Sequence, residues 1–442
     1  MLYMETGVIF NVSRGHCMSN RLAVVGCLLL AQTAFAAETP LAFPGAAGAA
    51  AATPGGRGGQ IVKVTTLAPS GPGSFIEAVK KAGPRIVVFE VGGVIDLAES
   101  DVKLTEPNLT IAGQTAPWPG ITLIRGGIDI ATHDVVIRHI RVRPGDGGRA
   151  KLSGNDHDAI STVGGAYDVI VDHCSLTWAT DENLSASGPR FTGSTPDEWR
   201  KGTSHRITYS NNILAEGLAN SVHVKGEHSK GSLIHDNVTD ILIINNLYAH
   251  DKERSPLFKG GVHGAIINNL IYDPGQRAIH YNLIAEEWGD HPYQTGEMTV
   301  IGNVLRGGQS TVAGLPLVTV GGSGDLALFE RDNIAVDRFG LPLPMRGYYT
   351  NAPIKVLKLP TPLLFGITPM SARDVQDYVI KNAGAFNWQR DHEDGRVVAD
   401  TIEGRGFIID SQSEWGGYPK QEMTVQPFDP AKWNLEDMTP KK

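Results

Sequence analysis

A recurring unit of two short β-branched strands separated by a polar kink dominates the middle of the chain. Copies include NLTIAGQTAPWPGITLI, HDVVIRHIRVRPG, YDVIVDHCSLTW, HRITYSNNILAEG, TDILIINNLYAHD, VHGAIINNLIYDP and GEMTVIGNVLRGG. Short strands that recur at roughly 20 to 35 residues, with connecting loops of unequal length, are typical of a solenoid. We predict an all-β fold, a right-handed single-stranded parallel β-helix, in which each coil packs its inward residues against the coils above and below.

Asparagines recur at the kinks of this unit, in SNN at 210–212, INN at 244–246, INN at 267–269 and GN at 302–303. Amides at equivalent positions of stacked coils can bond one another and the backbone of the turn. We therefore expect a structural ladder of asparagines rather than a ligand site.

The segment MSNRLAVVGCLLLAQTAFAAE has the pattern of a secretory signal peptide. It contains a cation at Arg21, an apolar run from Leu22 and a small-residue site before Ala37. The apolar run is shorter than the roughly 20 residues that a membrane-spanning helix needs. We expect residues 1–36 to direct export to the periplasm or the medium, with Met18 as an alternative start.

Composition divides the remaining chain into three parts. Residues 37–58 are rich in Gly and Ala and predict an extended N-terminal arm. Residues 59–345 contain the repeat and form the predicted β-helix domain. In residues 346–442 the repeat fades, and SARDVQDYVIKNAGAF shows a Ser cap followed by helical spacing. We expect this C-terminal extension to pack on the β-helix, and a solenoid with covered ends to be a monomer.

Charge and cysteine content limit the function classes. The formal net charge is -8, which argues against nucleic-acid binding by bulk charge, so any polyanion must meet a local cluster of cations. Cys17 and Cys27 lie in the predicted signal segment, which leaves Cys174 without a disulfide partner. Cys174 lies in a strand-like apolar pattern, which predicts a buried packing residue.

The segment ERSPLFKGG, residues 253–261, supplies such a cluster. Arg254 and Lys259 stand on either side of Pro256 and next to two glycines. Two cations on a stiff turn indicate a bound anion, which is either a substrate or a neighbouring carboxylate such as Asp251 or Glu253.

Several of these segments together carry a resemblance to a known family. VDHCS within VIVDHCSLTW, then HSKGSLI, then the R-x-P-x-x-K-G pattern of ERSPLFKGG occur in that order. The chain resembles the pectate lyases of the parallel β-helix type, polysaccharide lyase family 1. The resemblance implies cleavage of an acidic polysaccharide, polygalacturonate, by β-elimination with Ca²⁺. It implies Arg254 as the base, Lys230 as a ligand of the substrate carboxylate, and Lys259 at a second cationic position where relatives commonly have Arg.

Acidic residues on two neighbouring coils predict the metal site. GNDHDAI contains Asp156 and Asp158, whose i, i+2 spacing predicts carboxylates on one face of a strand, and TDENLS contains Asp181 and Glu182. Clustered hard oxygen ligands suit Ca²⁺ rather than zinc. The resemblance places calcium carboxylates on Asp156, Asp158 and Asp181. Its fourth acidic position falls on Ser185, so the calcium site is either weaker than in relatives or completed by Glu182.

Chemistry sets a condition on the base. Elimination removes the C5 proton of a uronate, expels the C4 oxygen and needs cations for the developing enediolate. A guanidinium normally keeps its proton, with a pKa above about 12. Arg254 can act as a base only beside positive charge, which calcium, Lys230 and Lys259 would supply.

Three alternatives remain open at this stage. The first is a lyase on the same scaffold for esterified pectin or another uronate polymer, against which the calcium carboxylates argue. The second is a glycoside hydrolase on a β-helix, which needs an acid and base pair around a water. The third is a non-enzymatic carbohydrate-binding β-helix, which shares the coils but not the clustered charges.

Overall fold

The computed structural model describes residues 39–350 and 354–441, and the predicted signal segment lies outside them. Within this described part, most strands belong to three sheets of stacked, mainly parallel strands. Sheet 1 contains Gln60–Val64, Arg85–Phe89, Leu109–Ala112, His133–Arg138, Tyr167–Asp172, His205–Ser210, Thr239–Ile244, His263–Ile267, Gly296–Ile301, Leu326–Arg331 and Val356–Lys358.

The other two sheets complete each coil. Sheet 2 contains Val102–Leu104, Ile128–Ile130, Ile160–Thr162, Leu184–Ala186, Leu233–Ile234, Leu257–Lys259, Ile279–Leu283, Val318–Gly322 and Arg346–Tyr348. Sheet 3 contains Val91–Asp96, Ile121–Ile124, Arg141–Arg143, Ser175–Thr177, Ile213–Ala215, Leu247–Ala249, Leu270–Tyr272, Val304–Arg306 and Ile334–Val336, with Thr424–Val425 added antiparallel at its edge. A separate antiparallel pair joins Trp433–Asn434 to Thr439–Pro440.

The chain runs through each coil from sheet 1 to sheet 3 and then to sheet 2. Neighbouring coils are in register, so that Tyr167 pairs with His133 on one side and with His205 on the other. This arrangement confirms the predicted parallel β-helix. The turn from sheet 1 to sheet 3 is short in each coil. The connection from sheet 3 to sheet 2 varies in length, because it forms loops that leave the cylinder wall.

The interior is filled by the apolar residues of the repeat. Val169, Val171 and Leu176 are fully buried in one continuous core. Cys174 is free and buried, as expected, and burial raises the pKa of its thiol to about 12. A thiol in this state is not a nucleophile.

The asparagine ladder is confirmed. Asn246 Oδ1 accepts hydrogen bonds from the backbone N–H and the side-chain amide of Asn212, at 2.9 and 3.0 Å. The same pair of bonds joins Asn246 to Asn269 and Asn269 to Asn303. Asn333 extends the ladder by one coil. The ladder joins the short turns of five successive coils and so fixes the register of these coils relative to one another.

Helices lie outside the coils. They are Phe75–Val79, Pro196–Gly202, Ala285–Trp288, Ala372–Asn382 and His392–Glu403, with short 3₁₀ turns at Gly113–Thr115, Gln412–Trp415 and Pro430–Lys432. Ala372–Asn382 begins after Ser371, as the sequence pattern predicts, but the Ser371 side chain makes no capping hydrogen bond. Among the described helices, none combines the length and apolar character that crossing a membrane requires.

Both terminal parts pack on the wall. Phe43 of the N-terminal arm contacts Val136 and Ile170 on the outside of sheet 1. Val375 and Val397, from the two longest helices, lie in an apolar cluster with residues of sheet 3. The strands of the cylinder continue to Lys358, and the helical segment follows them.

A buried ion-pair cluster fastens the C-terminal extension to sheet 3. Arg141 and Arg143 are fully buried on the strand of that sheet. Arg143 binds Asp391 and Asp394, each at 2.8 Å, and Arg141 Nε lies 3.2 Å from Asp394. Burial opposes ionisation of Asp391, but Arg143 and Arg141 outweigh it and hold the pKa of this carboxyl below its usual range. Docking of the extension therefore depends on these charges remaining paired.

We predict that Arg143→Met lowers the free energy of unfolding by about 3 to 5 kcal/mol, because it leaves buried carboxylates without their counter-charge. Urea denaturation followed by circular dichroism measures this loss. Lys151→Met is the matched control, since the pair of Lys151 with Asp410 is solvent-exposed, and its loss costs at most about 1 kcal/mol. Equal effects of the two substitutions would contradict the assigned role of Arg143.

Candidate functional site

The loops that connect sheet 3 to sheet 2 bring the charged residues of distant segments to one side of the cylinder. Because successive coils stack in register, these loops lie next to one another along the axis. They span residues 144–159, 178–183, 216–232, 250–256 and 273–278.

Three of the loops continue the pairing of sheet 2 beyond its regular strands. Lys230 forms parallel bridges with Glu182 on one neighbouring coil and with Glu253 on the other. These three residues therefore occupy equivalent positions, about 4.8 Å apart from coil to coil. Arg254 follows Glu253 directly, so the register of sheet 2 also fixes the place of the predicted base.

Three of the predicted metal ligands form one cluster. Oxygen atoms of Asp158, Asp181 and Glu182 lie within 4.8 Å of one another. Burial and the negative charges of Glu182 and Asp181 raise the pKa of Asp158 well above its usual value. Burial likewise raises the pKa of Glu182, against the opposing charge of Arg254. Such mutual repulsion is relieved by a proton or by a cation, and the all-oxygen donor set fits a hard divalent ion.

Asp156 does not belong to this cluster, and the predicted place of Asp156 and Asp158 on one strand is wrong for both residues. Residues 144–159 form a long loop, and the strand begins only at Ile160. The Asp156 carboxylate lies 3.6 Å from Nε2 of His223, which in turn lies 3.7 Å from Asp181. Asp156 therefore reaches the cluster only through a histidine, because the alternation of a strand does not hold its side chain beside that of Asp158.

Two buried histidines lie beside Asp181 and are not among the site residues predicted from the sequence. The rings of His223 and His228 are stacked with centroids 3.4 Å apart, and His228 Nε2 lies 3.1 Å from Asp181. Burial opposes ionisation of Asp181, but His228 outweighs it and lowers the pKa of Asp181 to about 2. Nδ1 of His223 accepts the N–H of Lys225, so its Nε2 carries the proton and faces the carboxylates of Asp156 and Asp181 from beyond hydrogen-bond distance. The i, i+2 spacing of His228 and Lys230 within HSKGSLI is the sequence feature that could have identified His228 as a site residue.

The cations of the site are each paired with a carboxylate of the chain itself. Arg254 contacts Glu182, rather than Asp251 or Glu253 as the alternative interpretation has it. Lys230 contacts Glu253, which also contacts Arg277 on the next coil. Burial and the neighbouring charge of Arg254 lower the pKa of the Lys230 ammonium to about 7, and the negative charges of Glu182 and Asp181 oppose this shift.

Lys259 lies in a second group of charges. It contacts Glu287 and lies 3.3 Å from Asp236, and both acids also pair with Arg190, at 2.6 and 2.8 Å. Neither Arg190 nor the two acids were identified from the sequence, because they come from segments without a recognisable motif. The charge of Lys259 is therefore largely compensated within the protein.

A cavity of about 410 Å³ unites these groups. Asp181, Glu182, Arg254, Lys259 and Arg277 all line it, together with Glu253 and Glu287. Lys230 is 7% exposed and lies behind its partner Glu253. Ser185 is buried in the strand Leu184–Ala186. The structure thus brings the predicted cations and three of the four predicted metal ligands to one side of the cylinder.

We predict that calcium binding depends on the three clustered carboxylates more than on Asp156. Asp158→Asn should weaken calcium affinity at least about 10-fold, because it removes a charged ligand from the cluster. Asp156→Asn should weaken it by a smaller factor. Isothermal titration with calcium measures both, and Asp240→Asn, an exposed acid on sheet 1, is the control. A larger loss in Asp156→Asn than in Asp158→Asn would contradict the geometry.

Comparison with known proteins gives a consistent set of relatives. No protein-family model matches the chain. The Probable pectate lyase C of Aspergillus terreus is 37% identical over 272 residues, which are 61% of this chain and 55% of the relative. The Probable pectate lyase C of Aspergillus flavus is 31% identical over 408 residues, 88% of this chain and 84% of the relative. The match therefore spans about half the length of the first protein and most of the second.

Solved structures with the same fold are more distant in sequence. The thermostable pectate lyase PL 47 superposes with a TM-score of 0.51 at 16% identity, covering 77% of this chain and 97% of that structure. A pectate lyase bound to a hexasaccharide superposes with a TM-score of 0.50 at 15% identity, covering 80% and 99%. At this identity the likeness supports the fold alone.

Proposed function

The chain belongs to the pectate lyase family, and we propose that it is an exported, calcium-dependent enzyme that cleaves polygalacturonate by β-elimination. The observation that carries the proposal is the contact of Arg254 with Glu182, which joins the candidate base to the carboxylate cluster. A β-elimination site needs a base and a divalent cation within reach of one sugar ring, and this contact is between the groups that would supply them.

In this proposal the carboxylates of Asp158, Asp181 and Glu182 would hold the calcium ion. Asp156 would add its negative charge from its position beside His223. Calcium, when bound, neutralises the substrate carboxylate and makes the C5 proton more acidic. The fit rests on the donor set, since three crowded carboxylates carry more negative charge than the nearby cations compensate.

Arg254 is the proposed base. As a base, Arg254 would be in its neutral guanidine form and would accept the C5 proton as the bond from C4 to the glycosidic oxygen breaks, which leaves a double bond between C4 and C5. The expelled oxygen would stay on the neighbouring sugar and take a proton from water. Lys230 and Arg277 surround the Glu253 carboxylate on adjoining coils and add positive charge near Arg254. Positive charge in its surroundings is the condition that a basic arginine requires.

Glu182 couples the two parts of this site. It belongs to the carboxylate cluster and is also the partner of Arg254, so a cation in the cluster and Arg254 compete for the same carboxylate. A cation that neutralises the carboxylate cluster would weaken the ion pair of Glu182 with Arg254. The Arg254 side chain would then be free to face the sugar. A resting pair of Glu182 and Arg254 is therefore compatible with the proposed chemistry.

Lys230 and Lys259 are the proposed substrate-binding cations. Lys230 would bind the uronate carboxylate when the substrate displaces Glu253. Lys259 offers a point charge rather than the bidentate fork of an arginine, and Glu287 and Asp236 already compensate it. We expect Lys259 to contribute less to binding than Lys230.

We predict that Arg254→Ala lowers kcat on polygalacturonate at least about 10³-fold, because it removes the proton acceptor from the transition state. The absorbance of the unsaturated uronide product measures the rate, with and without a calcium chelator. Arg206→Ala, which removes an exposed arginine on sheet 1, should keep full activity.

Other outcomes separate the competing functions. Reducing ends without the chromophore would indicate a hydrolase, and neither signal would indicate a binding protein. A faster rate on methyl-esterified pectin that is insensitive to chelator would favour a lyase for esterified polymers. Full activity in Arg254→Ala would show that the base is another residue.

We also predict a pH dependence of calcium requirement. The pKa values of Asp158 and Glu182 are raised, so protons compete with calcium for these carboxylates as the pH falls. The calcium concentration for half-maximal activity should therefore rise as the pH is lowered from about 8 to about 5. Excess calcium should recover part of the lost activity at the lower pH. A calcium requirement that does not change over this range would contradict the assigned ligands.

A further inference from the structure

Two buried histidines and two aspartates meet beside the carboxylate cluster, and we infer that they form a separate site for a divalent transition-metal ion of the zinc class. The ligands would be His223, His228, Asp181 and Asp156. Only Asp181 is shared with the cluster assigned to calcium, and only this site has nitrogen donors. Metal binding here does not depend on the proposed function, whereas its effect on calcium does.

The four side chains are close enough to share one ion. A ligand atom of each of Asp181, His223 and His228 lies within 4.8 Å of those of the other two. Nε2 of His228 lies 3.1 Å from one oxygen of Asp181, and Nε2 of His223 lies 3.7 Å from the other. The Asp156 carboxylate lies 3.6 Å from Nε2 of His223. Neighbouring ligands of a zinc ion are about 2.8 to 3.6 Å apart, because each bond is about 2.0 to 2.2 Å long, and the three distances match this spacing closely.

Hydrogen bonds within the protein do not account for the position of these nitrogens. Nε2 of His223 is too far from both carboxylates for a hydrogen bond. His228 is 7% exposed, and its Nδ1 has no hydrogen-bond partner in the described part of the chain. A proton on Nδ1 leaves Nε2 of His228 as a lone-pair donor directed at Asp181. The arrangement therefore suits a metal ion better than it suits a hydrogen-bonded pair of histidines.

The donor set selects the class of ion. Imidazole suits zinc, copper, iron and nickel, whereas calcium takes oxygen ligands. Two carboxylates and two neutral imidazoles together balance a divalent charge, and four protein ligands match the tetrahedral preference of zinc. The side chains of Asp156 and Asp181 are 31% and 32% exposed, so an ion can enter from solvent.

Binding would rearrange the two rings. The planes of His223 and His228 are only 18° apart, and two nearly parallel rings cannot both direct Nε2 at one ion. Each ring would turn about its Cβ–Cγ bond, which is a broad torsion in histidine. The ion would replace the proton on Nε2 of His223, and the ring would give up the N–H of Lys225. Lys225 is exposed, so water can replace this partner and the loss is small beside a coordinate bond.

The shared ligand Asp181 links the two metal positions. An ion at the histidines would draw on the carboxylate that the proposed function assigns to calcium, and two divalent ions on one carboxylate would also repel each other. We therefore expect zinc to weaken calcium binding. This consequence rests on the proposed function.

Calorimetric titration of the full chain, prepared without a histidine tag, with zinc and separately with calcium tests the site. His228→Gln and His223→Gln should each raise the Kd for zinc at least about 100-fold, more than the loss caused by an outer hydrogen-bond partner of a ligand. Both should change the Kd for calcium far less. Asp158→Asn should have the opposite pattern, with calcium binding weakened and zinc binding kept.

Two controls separate coordination from a structural effect. His133→Gln removes a histidine that also contacts an aspartate, Asp134, but on sheet 1, and should leave the Kd for zinc unchanged. The EPR spectrum of Cu²⁺ bound to the wild-type chain should show coupling to imidazole nitrogen, a result that needs no substitution. Thermal melting of each variant checks that the fold is retained.

Absence of zinc binding by the wild-type chain would overturn the inference, as would a zinc Kd that is the same in both histidine variants as in the wild type. A copper spectrum without nitrogen coupling would also overturn it. So would an equal loss of zinc and calcium binding in Asp158→Asn, because it would place both ions in the oxygen cluster. Turnover of polygalacturonate tests the proposed function separately, and zinc binding by a chain without turnover would keep the site and reject the enzyme.

Discussion

The in-register stacking of coils is the constraint on which the site depends. Parallel strands of two to six residues pair only if each coil repeats the path of the last, and the asparagine ladder fixes that path at the turn between sheets 1 and 3. With the turn fixed, equivalent loop residues stand at equivalent heights on the opposite wall. Glu182, Lys230 and Glu253 are adjacent for this reason, although 71 positions separate the first from the last.

Charge compensation is the second organising feature. The chain is acidic overall, and the cations of the cleft are held by its own carboxylates at rest. Buried charges without partners would cost several kcal/mol each, so the pairs make the cleft compatible with a stable fold. Because of these pairs, an anionic ligand must compete with Glu253 and Glu287 for the cations. A cation bound at the carboxylate cluster would favour the anionic ligand in this competition. In the proposed function, metal binding and substrate binding would therefore be linked through shared residues.

The helices of the C-terminal extension contribute to stability rather than to the cleft, whereas Tyr349, near the start of the extension, lines the cavity of the site. Its helices cover the outer face of sheet 3 and insert two aspartates beside Arg141 and Arg143, whereas the charged loops emerge at the far end of the sheet 3 strands. The extension thus shields one side of a solenoid whose apolar surface would otherwise be exposed. The loops supply most charged residues of the site, and they can differ in length without disturbing the wall.

The sequence by itself determined the coiled architecture, the asparagine ladder and the segments that carry the charged residues. Period and residue type are local properties, and strands this short and apolar have few other ways to bury themselves. Tertiary structure alone decided which charges meet: Arg254 with Glu182 rather than its neighbour Glu253, Asp156 with His223 rather than Asp158, and Arg277 beside Tyr349. Contacts between coils depend on loop lengths and on the path of irregular backbone, for which local sequence carries no periodic signal.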